Sequence, residues 1–347
     1  MLKKILKISG GFLLIVLVTV LAVLLNALAA CAVLAYGPSP EWQRRFVATF
    51  DETSAMKFVP RMYLSEETVQ SLLHPQPDES EDPFTELAFE SGAPEAEASA
   101  GPTVVVADPP GDDDEWLELI DIKRSAFTGK LMLIHDPSRV IVGTLENYGA
   151  AYQGLRLLEF IEKYGAIGGS NAGGFEDTNG AGNGGIPDGL VIRDGELAWG
   201  SPAVKYSNVV GFDADHILHV GNLTGQEALD LGLMSAVSFK PGPILVQNGK
   251  MRTNLGGGLN PRTCIGQTAD GTILLAVMEG RRPDSLGATY DDLAQLMVEY
   301  GAVNAMNLDG GSSSDLYYYG ERLIRNSSSH IGGRQLATAI LILSGED

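Results

Sequence analysis

Asp309 stands at the end of an apolar run and is followed by Gly310, Gly311 and the hydroxyls of Ser312, Ser313 and Ser314. Asn304-Ala305-Met306-Asn307-Leu308 reads as a buried strand, so the carboxylate falls where that strand gives way to a turn. Glycine carries no Cβ and lets the backbone turn sharply and approach a ligand closely. Hydroxyls and freed N–H groups at such a turn can hold an oxyanion. A plain tight turn carrying an Asp has the same composition, so the weight rests on other segments built in the same way.

Three such segments lie upstream. They are Gly168-Gly169-Ser170-Asn171-Ala172-Gly173-Gly174-Phe175, Asn260-Pro261-Arg262-Thr263-Cys264-Ile265-Gly266-Gln267 and Glu279-Gly280-Arg281-Arg282. Gly333-Arg334-Gln335 precedes the last strand-like run. Together they offer two carboxylates, the side-chain amides of Asn171 and Asn307 among others, and several arginines. That inventory suits cleavage at an anomeric carbon bearing a phosphate. Two carboxylates can divide acid, base and nucleophile roles, and guanidinium groups hold phosphate oxygens in a bidentate fork. A phosphate leaving group needs less proton donation than an alcohol, so positive charge can replace part of a general acid's work.

Other patterns fail on context. Gly180, Gly182 and Gly185 match G-x-G-x-x-G but lead from a loop into a strand, which a dinucleotide fingerprint does not. Neither the Gly310 nor the Gly168 segment completes a G-x-S-x-G nucleophile elbow. His216 and His219 flank a turn near Asp213 and Asp215, and solvated turn residues explain them better than a metal site. Tyr317-Tyr318-Tyr319 alternates along a strand and reads as core packing.

The motif series resembles the phosphodiester glycosidase family. The matching stretches are NAGGF at 171–175, GGIPDGLVI at 184–192, NPRTCIGQ at 260–267, MEGR at 278–281, NLDGGSSS at 307–314 and GRQLATAIL at 333–341. The resemblance spans 116–345 in the family's order. It implies an α+β hydrolase domain acting on a sugar-1-phosphodiester, in bacterial members often membrane-anchored and associated with exopolysaccharide. Carried onto this chain, Asp309 and Glu279 are the catalytic candidates. Arg262, Asn171, Asn307, Arg334, Thr263, Gly310, Gly311 and Ser312 are the substrate-binding candidates, with no metal ligand among them. Ala172 stands where the family usually has glycine, and Glu279 where Asp is usual, one methylene longer in reach.

The rest of the chain positions and exports this body. Lys3, Lys4 and Lys7 precede a run from Ser9 to Tyr36 without a charged residue, long enough to cross a bilayer, which takes roughly 20 helical residues. The basic flank puts the N-terminus in the cytoplasm and the rest outside. Signal peptides have shorter apolar regions. Leu28-Ala29-Ala30-Cys31 resembles a lipoprotein cleavage site, yet Ala32-Val33-Leu34-Ala35 continues the run and favours an uncleaved anchor. Cys31 and Cys264 fall in different segments, so no disulfide is expected within a domain.

The net charge of −20 is unevenly spread: residues 75–115 hold thirteen acidic residues, seven prolines and no Lys or Arg, leaving −7 for the remainder. Such a segment is expected to be a disordered, extended spacer. No basic patch favours nucleic acid.

The expected domains are a cytoplasmic tip and transmembrane anchor at 1–36, a membrane-proximal stalk at 37–74 with short helices near 41–46 and 65–73, the acidic linker at 75–115 and a catalytic body at 116–347. In the body, strands are expected at 117–122, 131–134, 140–142, 272–278, 303–308 and 335–343. Helices are expected at 154–164, from the Thr224 capping box to Gly232, and from Thr289 to Gly301. Asp194-Gly195, Asn248-Gly249 and Asp270-Gly271 mark hairpin turns. The fold class is α+β, with mixed hairpin-rich sheets and a few packed helices. The leading function is an extracytoplasmic glycosidase hydrolysing a sugar-1-phosphodiester in a surface glycan or glycolipid. It needs no cofactor, with a divalent cation left open. A metal-dependent phosphodiesterase and a non-catalytic polysaccharide-binding or wall-assembly module are the alternatives.

Overall fold

The computed structural model describes residues 2–51, 56–73 and 116–345, with residues 2–10 and Asn179 as backbone alone. The expected acidic spacer at 75–115 lies outside the described residues. The chain divides into two compact units, Met1–Pro75 and Gln76–Asp347.

The first unit is helical. The apolar N-terminal run forms one long helix, α1 (Leu2–Tyr36), followed by α2 (Pro40–Asp51), α3 (Phe58–Arg61) and α4 (Glu66–Leu73). Proline suits the first position of α2, whose N–H would lack a partner in any case. Ser65 caps α4 by accepting from Thr68 N at 3.2 Å. Phe46, Val47, Val59 and Val69 bury their side chains together with Ala35 of α1, so the short helices expected here pack as one small cluster.

The second unit carries three sheets, all of whose strand pairs are antiparallel. The largest, of seven strands, runs β1 (Leu117–Lys123), β2 (Thr128–Ile134), β13 (Ile273–Met278), β12 (Arg262–Thr268), β14 (Ala302–Asn307), β10 (Ile244–Gln247), β11 (Lys250–Met251). A second, of five, runs β16 (Glu321–Arg322), β15 (Leu316–Tyr318), β4 (Gly168–Asn171), β17 (Thr338–Ile342), β3 (Val140–Thr144). The third, also of five, runs β6 (Glu196–Trp199), β5 (Val191–Arg193), β9 (Ser235–Ser238), β7 (Lys205–Phe212), β8 (Leu218–Thr224). Helices α5 (Leu157–Tyr164), α6 (Gly225–Asp230) and α7 (Tyr290–Glu299) complete it. This is the α+β class the sequence implies.

Every residue of β13 is buried, which explains its unbroken apolar run: a strand covered on both faces does not alternate. Ile265, Ile273, Leu275, Val277 and Met306 face one core, shared with Ile340 of the second sheet and Val220 of the third. Cys264, Leu274, Ala276 and Ala305 face the other, under Leu293 and Met297 of α7. Asp194 and Gly195, with φ of 53° and 74°, and Asn248 and Gly249, with 51° and 72°, take up the left-handed pair that a two-residue hairpin turn requires.

Two elements are shorter than the sequence suggests. Helix α5 starts at Leu157 rather than 154, because Gly154 N is spent on Asn183 O and Leu155 bridges Leu336. That bridge also takes Leu336 out of the last strand, which keeps only Thr338–Ile342.

Candidate active site

Antiparallel register brings the chemistry to one end of the seven-stranded sheet. Arg262 opens β12 opposite Met278, so Glu279 leaves β13 beside it, and Cys264 pairs with Asn307 at the end of β14. The second sheet contributes Asn171 at the end of β4. Asn171 Nδ2 donates to Asp309 O at 2.6 Å, while its Oδ1 accepts from Thr263 Oγ1 at 2.7 Å and Asp315 N at 3.2 Å. Asp309 N donates to Ala172 O, Leu308 N to Thr263 O and Gly311 N to Pro261 O. One fully buried asparagine thus ties the two sheets together at the Asp309 turn.

Gly311 takes φ +62°, the left-handed conformation that favours glycine. Its neighbour Gly310 is extended, and a Cβ there would come within 2.9 Å of Pro261 O. Both glycines therefore shape the turn. Gly310 N donates to Asp309 Oδ1 at 2.8 Å, and the Ser313 side chain also reaches the carboxylate. Desolvation by burial pushes the Asp309 carboxyl up to about 6, against the pull of Ser313, Gly310 N and the Arg334 charge, with Asp177 adding repulsion. A group titrating there can take or give a proton near neutral pH.

Glu279 is buried and held by one arginine. Arg325 N donates to Oε1 at 2.8 Å and Arg325 Nε to Oε2 at 2.7 Å, with Nη2 also in ion-pair contact. Arg325 continues to Asp284 at 2.7 Å. The arginine follows Ile324 in an irregular segment, where no motif marks it. The same segment closes over the Asp309 turn, where Asn326 Nδ2 donates to Ser314 O at 2.7 Å and Ser327 Oγ to Gly311 O.

The expected arginines differ in setting. Arg334 lies in an ion pair with Asp177 at 3.0 Å, donates to Ser312 Oγ and Gly182 O, and sits 5.1 Å from the Phe175 ring centre. Arg262 is buried, stacked 3.9 Å over the Tyr290 ring, and donates to Ala288 O and Gly258 O. Arg281, not among the binding candidates, is exposed. It holds φ +57°, costly for a side chain with a Cβ. Its Nε donates to Asn260 Oδ1, and a Cβ on Gly311 would lie 3.1 Å from its Nη2. The MEGR motif contained Arg281, but only the folded turn puts its guanidinium beside Gly311.

Asn307 and Ser314 flank the turn with a buried Oδ1 and Oγ that have no hydrogen-bond partner among the described residues. Asp315 is a further buried carboxyl, pushed up to about 6 by burial and drawn back by Arg322 at 3.1 Å. It lies one residue past the 307–314 motif and was not among the sequence candidates. Tyr317 packs into the core as expected, whereas Tyr319 is exposed at φ +45°. His219 Nε2 lies 2.7 Å from Asp213 Oδ2. Among the described residues no group of three or more His, Cys, Asp or Glu is arranged to hold a metal.

Fold and site thus define an α+β domain with buried carboxyls and arginines gathered on glycine-rich turns at the meeting of two sheets. The phosphodiester glycosidase family matches residues 164–343, just over half of the chain, and the chain belongs to that family. It is similar to the SPβ prophage-derived uncharacterized protein YomE of Bacillus subtilis (strain 168), with 34% identity over 152 residues. The match covers 41% of this chain and 23% of YomE, so the chain spans about a quarter of that protein. In fold it resembles the catalytic domain of zebrafish N-acetylglucosamine-1-phosphodiester α-N-acetylglucosaminidase, auto-inhibited by its pro-peptide. That likeness has a TM-score of 0.54 and 19% identity, covering 76% of this chain and 96% of that domain.

Proposed function

We propose that this protein hydrolyses a sugar-1-phosphodiester of a glycan or glycolipid outside the cytoplasm. In this reading α1 anchors it to the membrane, with Lys3, Lys4 and Lys7 on the cytoplasmic side. The observation that carries the proposal is the Asp309 carboxyl, titrating at about 6 on a two-glycine turn and flanked by arginines. Water adds to C1 of the sugar as the C1–O bond breaks, and the phosphate leaves as a monoester. Asp309, largely ionised above pH 6, takes the proton of the attacking water. Glu279, fixed by Arg325, supplies the second carboxylate. Arg281 and Arg334 offset the charge on the departing phosphate, so full protonation of the leaving oxygen is not required.

Asn171 and Arg262 act here chiefly through position. Asn171 and Thr263 hold the Asp309 turn, and Arg262 stiffens the loop ending at Gly258. Asn307, together with Gly310, Gly311 and Ser312, lines the sugar and phosphate side.

The test is incubation of the full-length protein with a panel of sugar-1-phosphodiesters, following free sugar and phosphomonoester, with and without EDTA. Matched release of both products, lost in Asp309→Asn, supports the reading. Activity abolished by EDTA would favour a metal-dependent phosphodiesterase. Glycan binding without turnover, unchanged in Asp309→Asn and Glu279→Gln, would favour a non-catalytic module.

A further inference from the structure

Helix α1 is longer than a bilayer requires. Lys7 is the last charge before the apolar run, and the rise from Lys7 to Leu28 is about 32 Å at 1.5 Å per residue. That matches a hydrocarbon core of roughly 30 Å. The turns from Leu28 to Tyr36 rise about 12 Å further, and α2, α3 and α4 pack against them. Ala35 is fully buried and Cys31 packs on the same cluster as Phe46 and Val69. Tyr63 Oη donates to Leu28 O at 3.0 Å, Gln43 Nε2 to Ala35 O at 2.6 Å, and Tyr36 Oη to Tyr63 O.

The clasp around these turns is too polar for hydrocarbon. Arg61 is paired with Asp51 at 2.7 Å and Glu66 at 2.8 Å, and charges at the bilayer centre are expensive. Its outer surface is nevertheless apolar in places. Trp42 is 53% exposed, with Arg45 5.5 Å from its ring centre, and Phe58 and Met62 are each 58% exposed. Phe58 and Met62 are four residues apart and share a helical face. Tryptophan beside arginine is the pairing a headgroup layer favours.

We infer that α2, α3 and α4 form a cap seated on the outer leaflet, with Trp42, Phe58 and Met62 in its headgroup layer, and that the membrane span ends near Leu28. Tyr36 then stands above the bilayer as part of the cap's core. The inference rests on α1 being an uncleaved anchor. Cleavage before Cys31 would remove the Leu28 acceptor and the helix on which the cap is built.

The test uses the full chain in nanodiscs, with Trp116→Phe and Trp199→Phe leaving Trp42 as the sole tryptophan. Lipids brominated near the headgroup end of the acyl chain are compared with lipids brominated near the chain terminus. The expected result is loss of Trp42 emission with the first set and little with the second, reduced by Phe58→Glu with Met62→Glu. Full emission in both sets overturns the cap, including when two chains per disc shield Trp42 from lipid. Alkaline carbonate washing separates the two ideas: release from membranes refutes the anchor, whereas retention with an unquenched Trp42 refutes only the cap.

Discussion

Replacing Asp309 with Asn should abolish turnover and, at neutral pH, stabilise the protein. The carboxyl titrates at about 6 in the fold against an ordinary 3.8. The difference, about 2.2, corresponds to about 3 kcal/mol at 1.36 kcal/mol per pH unit. The sign follows from proton binding. Between those two values the folded state holds more proton than the unfolded state, so stability falls as pH rises. The cost is absent below about pH 3.8, grows through pH 6 and is complete above it. Asparagine keeps an oxygen for Gly310 N and removes the charge from this half-buried site, so it escapes this cost. For a unit of this size about 3 kcal/mol amounts to roughly 6–12 °C in melting temperature.

The assay is thermal unfolding followed by circular dichroism, wild type against Asp309→Asn, in steps from pH 4 to pH 8. The difference between the two should widen in favour of the variant across pH 4–6 and then level off. A constant amide offset would shift the whole curve without altering that shape. A difference independent of pH, or one that closes as pH rises, would refute the claim that burial of this carboxylate dominates its environment.

Asn171→Ala leaves Asp309 O and Thr263 Oγ1 without partners and should cost about 2–4 kcal/mol, with turnover lost in parallel, as read by denaturant titration and product release. Arg325→Met removes the guanidinium that pairs with Glu279 and leaves the carboxylate only the backbone N–H of residue 325 and Thr128 Oγ1, so it should lower melting temperature and activity together. Adding Glu279→Gln should restore the melting temperature but not the activity, since a carboxylate without its partner costs more than the neutral pair. Arg281→Ala should weaken turnover of phosphodiesters by roughly tenfold or more while lowering stability by no more than about 1 kcal/mol, the worth of its hydrogen bond to Asn260, because its guanidinium lies at the exposed rim of the Gly311 turn.

Much of the architecture is local and therefore legible in the chain. Thr224 and Thr289 cap their helices by accepting from the third residue onward, and Gly165 and Gly301 stop α5 and α7 with positive φ. Asp194-Gly195 and Asn248-Gly249 make their hairpins because only a few residue types tolerate that backbone. Asp309 and Glu279 stood out as candidates for the same reason, since each follows a strand and precedes glycine. Local pattern also located the apolar helix and the hairpin-rich α+β class.

Partnership between distant segments is another matter, because register and crossover connections set it and no short window contains them. Asn171 lies far along the chain from Asp309 and Asp315, yet it bonds both backbones once β4 is flanked by β15 and β17. Arg325 finds Glu279 across 46 positions from a segment without regular structure. Leu336 leaves the last strand to bridge Leu155, a choice made by the neighbouring loop rather than by its own propensity. Residue type and spacing determined which groups could do chemistry and where turns would present them. The tertiary structure decided their partners, and so which arginine steadies a carboxylate and which lies at the rim. Burial, charge pairing and proton affinity depend on everything within a few ångströms, and the chain's order does not encode that distance.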